Sequence, residues 1–424
     1  MAAAAAIRVS AISSEADSGQ ARIDWADSQM PVLAQVRERF ARERPLTGTR
    51  VAACLHVTAE TANLVRTLLA GGAEVGLCAA NPLSTQDDVV AALNECGGVE
   101  VLAARGESPT QYAEHVQALV RSAPAVTVDD GADLIAAIHE SAPEHAAAML
   151  GGTEETTAGL LRVRALAEQG VLACPVLAVN ESRTERAFND RFGTGQSTID
   201  GILRATNLLL AGRTVVVFGY GWTGRGVALR ARGAGASVIV CEVDPLRALE
   251  ARMEGYEVMG ALAAAERGDV FVTVTGGRDV LRAEHFERMK DGAVLANAGH
   301  FDVEIDIAAL RELAVGGRRA ALPLVQEHTL ADGRRLNLLT QGRVVNLAAA
   351  EGHPASVMDV SFAGQALCVE HLVASAGTLP AEVLPVPDRI DEEVARLKLE
   401  SLGIEIDELS EEQRVYRTAW ERGA

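Results

Sequence analysis

Short apolar runs alternate with amphipathic stretches through the first third of the chain. Residues 51–57 (VAACLHV) form an apolar run, and residues 60–72 (ETANLVRTLLAGG) carry apolar side chains at helical spacing. Residues 74–80 return to a short apolar run, and the alternation continues to residues 125–130 (AVTVDD). Short strands that alternate with helices are typical of a doubly wound α/β domain with a parallel sheet.

A second strand-helix-strand unit follows at residues 214–244. Its first strand runs into three glycines: Gly219 permits a tight turn, Gly221 leaves room for a pyrophosphate, and Gly224 lets the next helix lie close to the sheet. The pyrophosphate is expected at the N-terminus of that helix, where free N–H groups favour an anion. Glu242 ends the second strand about 20 residues later, where a carboxylate accepts the ribose hydroxyls of NAD and repels the 2′-phosphate of NADP.

We therefore predict two doubly wound parallel-sheet domains, a substrate domain and a Rossmann NAD domain, joined by hinges and followed by a helical tail. The predicted division is 1–181 with 353–387 for the substrate domain, 182–194 for a hinge that carries active-site residues, 195–352 for the NAD domain and 388–424 for the tail. The first 20 residues, rich in Ala and Ser, are predicted to be frayed.

Polar residues stand where several predicted strands end. His56 and Thr58 end the first strand, Asp129 and Asp130 end AVTVDD, Asn180 ends PVLAVN, and His300 follows VLANA. Ligands gather at the carboxyl ends of parallel strands, so we expect these groups at one crevice. Residues 153–157 (TEETT) open a helix, and two interpretations stay open for them: chemistry at the crevice, or a capping box with acids in the first turn.

Charge and cysteine content narrow the possible partners. The formal charge of −19 argues against nucleic acid or an anionic membrane as a partner. The six cysteines lack metal-site spacing, so we expect no metal and a reducing, cytoplasmic setting. The alanine run at residues 1–6 lacks the features of a signal peptide, and no uncharged apolar stretch is long enough to span a membrane.

Several motifs in this order resemble the S-adenosylhomocysteine hydrolase (adenosylhomocysteinase) family over nearly the whole chain. They are CLHVT (54–58), STQD (84–87), DDGADL (129–134), EETT (154–157), STIDGILRAT (197–206), FGYGWTGRG (218–226), MEGYEV (253–258), NAGHFDVEID (297–306) and GRVVNLAAAEGHP (342–354). The resemblance implies tightly bound NAD that is regenerated in each turnover. The sugar 3′-hydroxyl is oxidised, the acidified C4′–H is lost with the 5′ substituent, and the ketone is reduced again.

The resemblance also implies site residues. Catalytic roles fall on His56, Asp130, Glu155, Asn180, Glu185, Asn189 and His300. Substrate contacts fall on Thr58, Glu60, Thr156, Glu351, His353 and Met358. Cofactor contacts fall on Thr156, Thr157, Asp190, Gly219, Gly221, Trp222, Thr223, Gly224, Glu242, Arg247, Thr275, Gly299, His300 and Asn346. The implied partners are a small-molecule nucleoside and further copies of the chain in a homo-oligomer, dimer or tetramer.

The chain departs from the family at linked positions. The family pattern S-x-T-K-x-x-F-D-N reads here as residues 182–190, with Glu185 in place of the lysine and Asn189-Asp190 in place of Asp-Asn. An enolate beside the ketone would lose its cation, and such electrostatic contributions are usually large in catalysis. Further departures are Glu351 for Met, Asp88 for His, Trp222 for Asp, Arg247 for Asn, and a C-terminal sequence that does not show the family's Lys and Tyr.

Three functions are consistent with this pattern. The first is a divergent paralogue, an NAD-dependent nucleoside dehydratase (a lyase) of the kind expected in nucleoside-antibiotic biosynthesis of the angustmycin type. The second is S-adenosylhomocysteine hydrolysis to adenosine and homocysteine, with Glu185 in place of the lysine. The third is a catalytically silent NAD-binding regulatory homologue.

Overall fold

The computed structural model describes residues 14–418. In this part of the chain fifteen strands form two sheets. The strands are β1 Arg50–Leu55, β2 Glu74–Ala79, β3 Val99–Leu102, β4 Val126–Asp129, β5 Gly151–Glu154, β6 Val176–Ala178, β7 Thr214–Phe218, β8 Ser237–Cys241, β9 Glu257–Val258, β10 Val270–Thr273, β11 Ala293–Asn297, β12 Ala314–Leu322, β13 Val325–Leu330, β14 Arg335–Leu339 and β15 Val383–Pro385.

The helices cover both faces of the sheets and include short turns. They are α1 Glu15–Asp27, α2 Pro31–Glu43, α3 Ala59–Ala70, α4 Asp87–Cys96, α5 Pro109–Arg121, α6 Asp133–Ser141, α7 Pro143–Ala148, α8 Thr157–Glu168, α9 Gly195–Thr206, α10 Trp222–Gly233, α11 Pro245–Met253, α12 Ala261–Ala265, α13 Ala283–Phe286, α14 Ile307–Leu313, α15 Val345–Ala348, α16 Ala355–Ala374, α17 Asp388–Ser401 and α18 Glu411–Thr418.

The first sheet is parallel throughout, with the strand order β15-β6-β5-β4-β1-β2-β3. The order reverses at β1, which pairs with β2 on one side and β4 on the other. Crevices for ligands form outside the carboxyl ends of strands at such a switch point. His56 directly follows β1 and Asp130 directly follows β4, so the topology brings their side chains to the same crevice.

The second sheet has the order β12-β13-β14-β11-β10-β7-β8-β9. Its strands from β14 to β9 are parallel, while β12 and β13 pair antiparallel at one edge. The predicted α/β class, with a Rossmann-like NAD sheet and a helical tail, is confirmed. The antiparallel edge is an addition that the apolar pattern did not indicate.

The predicted fraying of residues 1–20 is wrong for its second part. Helix α1 begins at Glu15, and the Ser14 side chain caps it by accepting from the backbone N–H of Asp17. Ala16, Gly19 and Ile23 are buried against neighbouring helices. Packing therefore stabilises a helix in a segment whose composition suggested no regular structure. Residues 1–13 lie outside the described part of the chain.

Helix α16 forms the centre of the core beneath the first sheet. By length and composition it is apolar enough to cross a membrane, but two thirds of its apolar window is buried inside the protein. A helix that is apolar on all sides is typical of a buried core helix. Its N-terminal half also reaches the cavity described below through Met358 and Phe362.

A π-helix, Glu185–Thr194, connects the two sheets and continues directly into α9. It packs on α10 through glycine: a Cβ at Gly226 would lie 1.9 Å from the backbone oxygen of Arg191. π-helices are rare and occur frequently at functional sites. This one holds Glu185, Asn189 and Asp190, the positions at which the sequence departs from the family. The predicted domain boundaries at residues 181, 194, 352 and 387 stay predictions.

Candidate active site

A cavity of about 1040 Å³ lies between the carboxyl ends of the two sheets. Every residue predicted for catalysis, substrate binding or cofactor binding lines it except Gly224. Gly224 lies directly behind the wall, where a Cβ would be 2.0 Å from the backbone oxygen of Gly219. The structure therefore brings the predicted site residues together, while their individual roles stay predictions.

His56 and Asp130 lie side by side, and the position of the proton on His56 follows from its contact with Ser84. Ser84 Oγ donates to the backbone oxygen of Asn81, so the Nδ1 of His56, 2.6 Å from Ser84 Oγ, must be the donor of that contact. The His56 Nε2, 3.2 Å from Asp130 Oδ2, is then an acceptor in the neutral ring. Burial lowers the pKa of His56 to about 3, with help from His300 and His353. Neutral His56 thus faces a carboxyl group that can donate to it.

Asp130 also faces the second sheet. Its Oδ1 lies 3.5 Å from Nδ1 of His300, which follows β11. Burial raises the pKa of Asp130 to about 7, although a hydrogen bond with Glu155 opposes the shift. A carboxyl group with a pKa near neutrality can both accept and donate a proton under physiological conditions. The next residue, Gly131, has φ +108°, and a Cβ there would lie 2.8 Å from His300 Nε2. The loop after β4 therefore lies in close contact with the loop after β11.

Three further acids extend this buried cluster. Burial raises the pKa of Glu155 to about 8, and the nearby Asp130 adds to the shift. Burial, Glu155 and Asp190 together hold the pKa of Glu185 well above its ordinary range, and its side chain is only 4% exposed. Burial also raises the pKa of Asp190 to about 7. Neutral acids in this cluster can donate hydrogen bonds to sugar oxygens, which carboxylates cannot do.

Amide side chains orient the acids. Gln365 of α16 donates to Glu155 Oε2 at 2.8 Å, and Asn180 donates to the backbone oxygen of Glu155 at 3.1 Å. Asn180 Oδ1 in turn accepts from the Thr157 hydroxyl at 2.9 Å. Asn189, on the π-helix, points its Nδ2 to Met358 Sδ at 3.7 Å. The side chains predicted for the sugar thus form a hydrogen-bonded shell.

Sequence reasoning missed Glu154, whose side chain is fully buried. Its Oε1 accepts from the N–H groups of Gly131 and Thr156, both at 2.9 Å, and from the Thr156 hydroxyl at 2.7 Å. It thereby ties the loop after β4 to the loop after β5. The signal was present in TEETT: side chains alternate along a strand, so one glutamate faces the cavity and its neighbour faces away. The capping interpretation is right only for Thr156, whose hydroxyl accepts from the Gly159 N–H at 3.1 Å; the expected acids do not lie in the first turn of α8.

The glycine turn after β7 has the shape that a dinucleotide requires. Gly219 has φ +98°, and a Cβ there would lie 2.9 Å from the backbone oxygen of Val274. A Cβ at Gly221 would point into open space toward Arg247. The Glu242 carboxylate, at the end of β8, accepts from the backbone N–H groups of Tyr220 and Val243 at 2.6 and 2.7 Å. These bonds fix a carboxylate beside the turn, where NAD ribose hydroxyls would be accepted.

The opposite end of the cofactor region contains an unsatisfied acceptor. Asn346 donates to Ser197 Oγ at 3.2 Å and lies 3.4 Å from His353 Nε2, but its buried Oδ1 has no hydrogen-bond partner in the described residues. Buried polar atoms are normally paired, so an orphan acceptor facing a cavity suits a ligand N–H such as a carboxamide. The glycine cradle, Glu242 and Asn346 therefore fit NAD along the cavity.

Glu351 lies at the cavity mouth and is engaged in ion pairs. It contacts Arg22 of α1 at 2.8 Å and Arg204 of α9 at 3.1 Å. Arg22 also contacts Asp88 of α4 at 3.1 Å. Two departures that looked independent in the sequence, Asp88 and Glu351, thus share one arginine. We call Asp88, Arg22, Glu351 and Arg204 the mouth network.

This fold and site define an NAD-dependent α/β enzyme with a catalytic crevice between a substrate-side sheet and a Rossmann-like sheet. The family model described as S-adenosyl-L-homocysteine hydrolase matches residues 7–151, and the model of the NAD-binding domain of that family matches residues 190–352. The chain belongs to the S-adenosyl-L-homocysteine hydrolase family, and NAD is its cofactor.

Full-length relatives agree with the family models. Adenosylhomocysteinase of Aquifex aeolicus is 60% identical over 408 residues, covering 96% of this chain and 97% of that protein. Adenosylhomocysteinase of Thermosynechococcus vestitus is 53% identical over 405 residues, covering 96% and 94%. S-inosyl-L-homocysteine hydrolase of Methanopyrus kandleri is 53% identical over 408 residues, covering 96% of both chains. The predictions of the family, of an enzyme and of NAD are confirmed.

Proposed function

We propose that this enzyme oxidises a sugar hydroxyl of a neutral adenine nucleoside, eliminates a 5′ hydroxyl group as water, and reduces the ketone again. It is then a nucleoside dehydratase, and the antibiotic-biosynthetic setting is part of the same proposal. The main observation that supports the dehydratase proposal is Glu185, a buried acid in place of the lysine that the resemblance implies.

Charge in the cavity favours a neutral substrate. Among the described residues that line it within 56–194 and 351–362, six are acids, and Arg186 is the one arginine or lysine. Arg186 in turn lies 3.4 Å from Glu181. Because Arg186 is already paired, the carboxylate of a homocysteine substituent would find no free arginine or lysine in this part of the described wall, whereas a hydroxyl group needs none. Discrimination of this kind arises from unfavourable contacts with the rejected substrate.

The chain's own groups supply the proton transfers. The glycine turn, Glu242 and Asn346 would hold NAD, which would supply removal and return of a hydride at the hydroxyl-bearing carbon. We assign the ionised form of Glu185 to the oxidised hydroxyl, whose proton it accepts, Glu155 to a hydrogen bond with the same hydroxyl, and Asp130 to the C4′ proton, which becomes acidic beside a ketone. His56 and His300 flank Asp130 and are assigned to pass the proton that Asp130 takes from C4′ to the 5′ hydroxyl group, which leaves as water. Asn180 and Gln365 hold Glu155 in place.

The relatives favour a second candidate. Their names support S-adenosyl-L-homocysteine hydrolysis, in which water adds after the same elimination and the leaving group is a thiol. The retained groups His56, Asp130, Glu155 and His300 serve this reaction equally well. The two candidates differ in the 5′ substituent and in whether water is added, and they share every step at the 3′ position.

Product analysis separates the two. The purified enzyme is incubated with S-adenosylhomocysteine and, separately, with adenosine and adenine nucleosides with altered sugar hydroxyls, and products are analysed by mass spectrometry. The proposal predicts a product lighter than a hydroxylated nucleoside by one water and carrying a 4′,5′ double bond. Homocysteine released from S-adenosylhomocysteine at ordinary enzymatic turnover, without such an alkene, would overturn it in favour of the hydrolase.

A further inference from the structure

The helical segment that carries Glu185 begins with Arg183 and Thr184, which directly precede the π-helix. The Ser182 hydroxyl before it accepts from the Glu185 N–H only, at 3.2 Å. The first N–H groups of a helix have no partner within the helix, and a side-chain oxygen normally satisfies some of them. The backbone N–H groups of Arg183 and Thr184 therefore need a partner from another part of the chain.

Asp391, more than 200 residues later, supplies that partner. Its Oδ2 accepts from the Arg183 N–H at 2.8 Å, and its Oδ1 accepts from the Thr184 N–H at 3.2 Å and from the Thr184 hydroxyl at 2.5 Å. The Asp391 side chain is buried, with the residue 7% exposed. Three hydrogen bonds to one buried carboxylate make a well-defined contact, and charge-assisted bonds of this kind are stronger than neutral ones.

Helix α17, which carries Asp391, is firmly attached to the core beneath the first sheet. Ile390 and Val394 are buried in that core, and Lys398 donates to the buried Asp359 of α16 at 2.7 Å. The Asp391 carboxylate is thus held in place independently of the second sheet. It fixes the start of the connection between the two sheets to the side that carries His56 and Asp130.

The Asp391 contact is connected to Glu185 through Thr184 and Ser182. The Ser182 hydroxyl accepts from the backbone N–H of Glu185 at 3.2 Å and lies 3.3 Å from the Thr184 hydroxyl. Ser182, Thr184 and Asp391 therefore define the backbone position from which the Glu185 side chain enters the cavity. An error of about 1 Å in the position of a catalytic group can reduce the rate about 100-fold.

We propose that Asp391, on α17, is a positioning residue that caps the start of the active-site π-helix and so sets the position of Glu185. The catalytic part of this inference depends on the proposed role of Glu185, whereas the capping part does not. Asp391 does not line the cavity and acts through the backbone of residues 183–185.

The test compares Asp391→Asn with Glu392→Gln in the full-length NAD-loaded enzyme. Glu392 is the exposed next residue of the same helix, so its variant removes the same charge without touching the connection. In Asp391→Asn the amide group faces the Arg183 N–H, and one hydrogen bond is lost. We expect faster amide hydrogen exchange at residues 183–190, and kcat reduced about 10- to 100-fold with KM changed less than about threefold. Glu392→Gln should behave as wild type.

A milder variant covers the case in which Asp391→Asn does not fold. Thr184→Val removes the hydroxyl contact alone, and a smaller change in the same two measurements is expected. Unchanged hydrogen exchange at residues 183–190 in both variants would overturn the capping inference. A lower melting temperature with unchanged kcat would overturn the positioning role. If Glu185→Gln leaves turnover unchanged, the proposed role of Glu185 fails, and the exchange measurement still decides the capping contact.

Discussion

At the scale of single residues, the site is a cluster of acids whose protonation burial controls. Asp130, Glu155 and Glu185 lie close enough to influence one another, and burial raises the pKa of each. Their environments differ: Asp130 contacts His56 and His300, while Glu155 accepts from Gln365. Carboxyl groups in different surroundings can take different parts in acid-base chemistry.

The substitution Glu185→Gln tests the acid that departs from the family. The amide has nearly the same shape but cannot accept the proton of the oxidised hydroxyl, so we expect turnover to fall at least about 1000-fold while NAD remains bound. Turnover is measured with the nucleoside assay, and NAD content by mass spectrometry after denaturation. Glu168→Gln, an exposed acid at the end of α8, is the matched control. An unchanged rate in Glu185→Gln would show that the carboxyl group takes no part in the reaction.

Burial of these acids also predicts how stability depends on pH. The ordinary pKa values of Asp130 and Glu155 are 3.8 and 4.5, and in the folded protein they rise to about 7 and about 8. Between these values the folded protein retains protons that the unfolded chain has lost, so the free energy of unfolding decreases as pH rises from about 4 to about 8. For each proton retained in this way, the free energy of unfolding falls by about 1.4 kcal/mol as the pH rises by one.

Thermal unfolding of the ligand-free protein across this pH range measures the effect. The double variant Asp130→Asn, Glu155→Gln should lose part of the decrease, because neither amide titrates. A variant with the same pH dependence as wild type would contradict the assignment of raised pKa values to these two groups.

At the scale of elements, the turn between β7 and α10 shows how much a sequence motif determines. The glycine spacing and Glu242 predicted both the turn and its neighbour strand, because close backbone approach leaves no room for a side chain at Gly219 and Gly224. The contacts of Glu154, Gln365 and Asp391 could not be predicted in this way. Each joins segments that only the tertiary fold brings together, and a buried carboxylate carries no local signal of the N–H groups that it accepts from.

The variant Gly224→Ala tests the packing of this turn. Its Cβ would lie 2.0 Å from the Gly219 backbone oxygen, so the turn must move away from the position that a pyrophosphate requires. We expect the Kd for NAD, measured by calorimetry, to increase at least about 100-fold, which is about 2.7 kcal/mol. Gly233→Ala is the control in the same helix, because no atom lies within 4 Å of its Cβ. Equal NAD affinity in both variants would show that close helix packing is not needed at Gly224.

At the scale of the whole molecule, the two sheets are joined by the π-helix and by contacts across the cavity. His300 approaches Gly131 and Asp130 at the base of the cavity, and the mouth network connects α1 and α4 to α9 at its entrance. The sequence predicted both sheets and their shared crevice, since strand-end polar residues must meet there. It did not predict the mouth network, because Arg22, Asp88 and Glu351 are distant from one another in the chain and only the tertiary fold brings them together. The homo-oligomer that the resemblance implies stays a prediction.

Because the mouth network lies at the entrance of the cavity, we expect the dissociation rate of a bound nucleoside to depend on salt. Its ion pairs are partly exposed, so each is worth about 1 kcal/mol or less and is screened by salt. We expect adenosine to dissociate about two- to fivefold faster at 0.5 M than at 0.05 M NaCl, roughly as these energies predict. Stopped-flow measurement of Glu351→Gln should give a fast rate with little salt dependence. Asp291→Asn, which breaks a distant exposed pair with Arg335, should keep the wild-type dependence. Equal salt dependence in all three proteins would contradict the prediction.

The proposed reaction depends on transient oxidation of the sugar, which makes an inert C4′–H acidic. The most direct measurement is to incubate the NAD-loaded enzyme with adenosine in deuterium oxide, recover the nucleoside, and determine the position of deuterium by NMR. We expect deuterium at C4′ of recovered adenosine with wild-type enzyme, and none there with Asp130→Asn. If wild-type enzyme with bound NAD leaves C4′ free of deuterium for adenosine and related adenine nucleosides, transient oxidation does not take place and the account is contradicted.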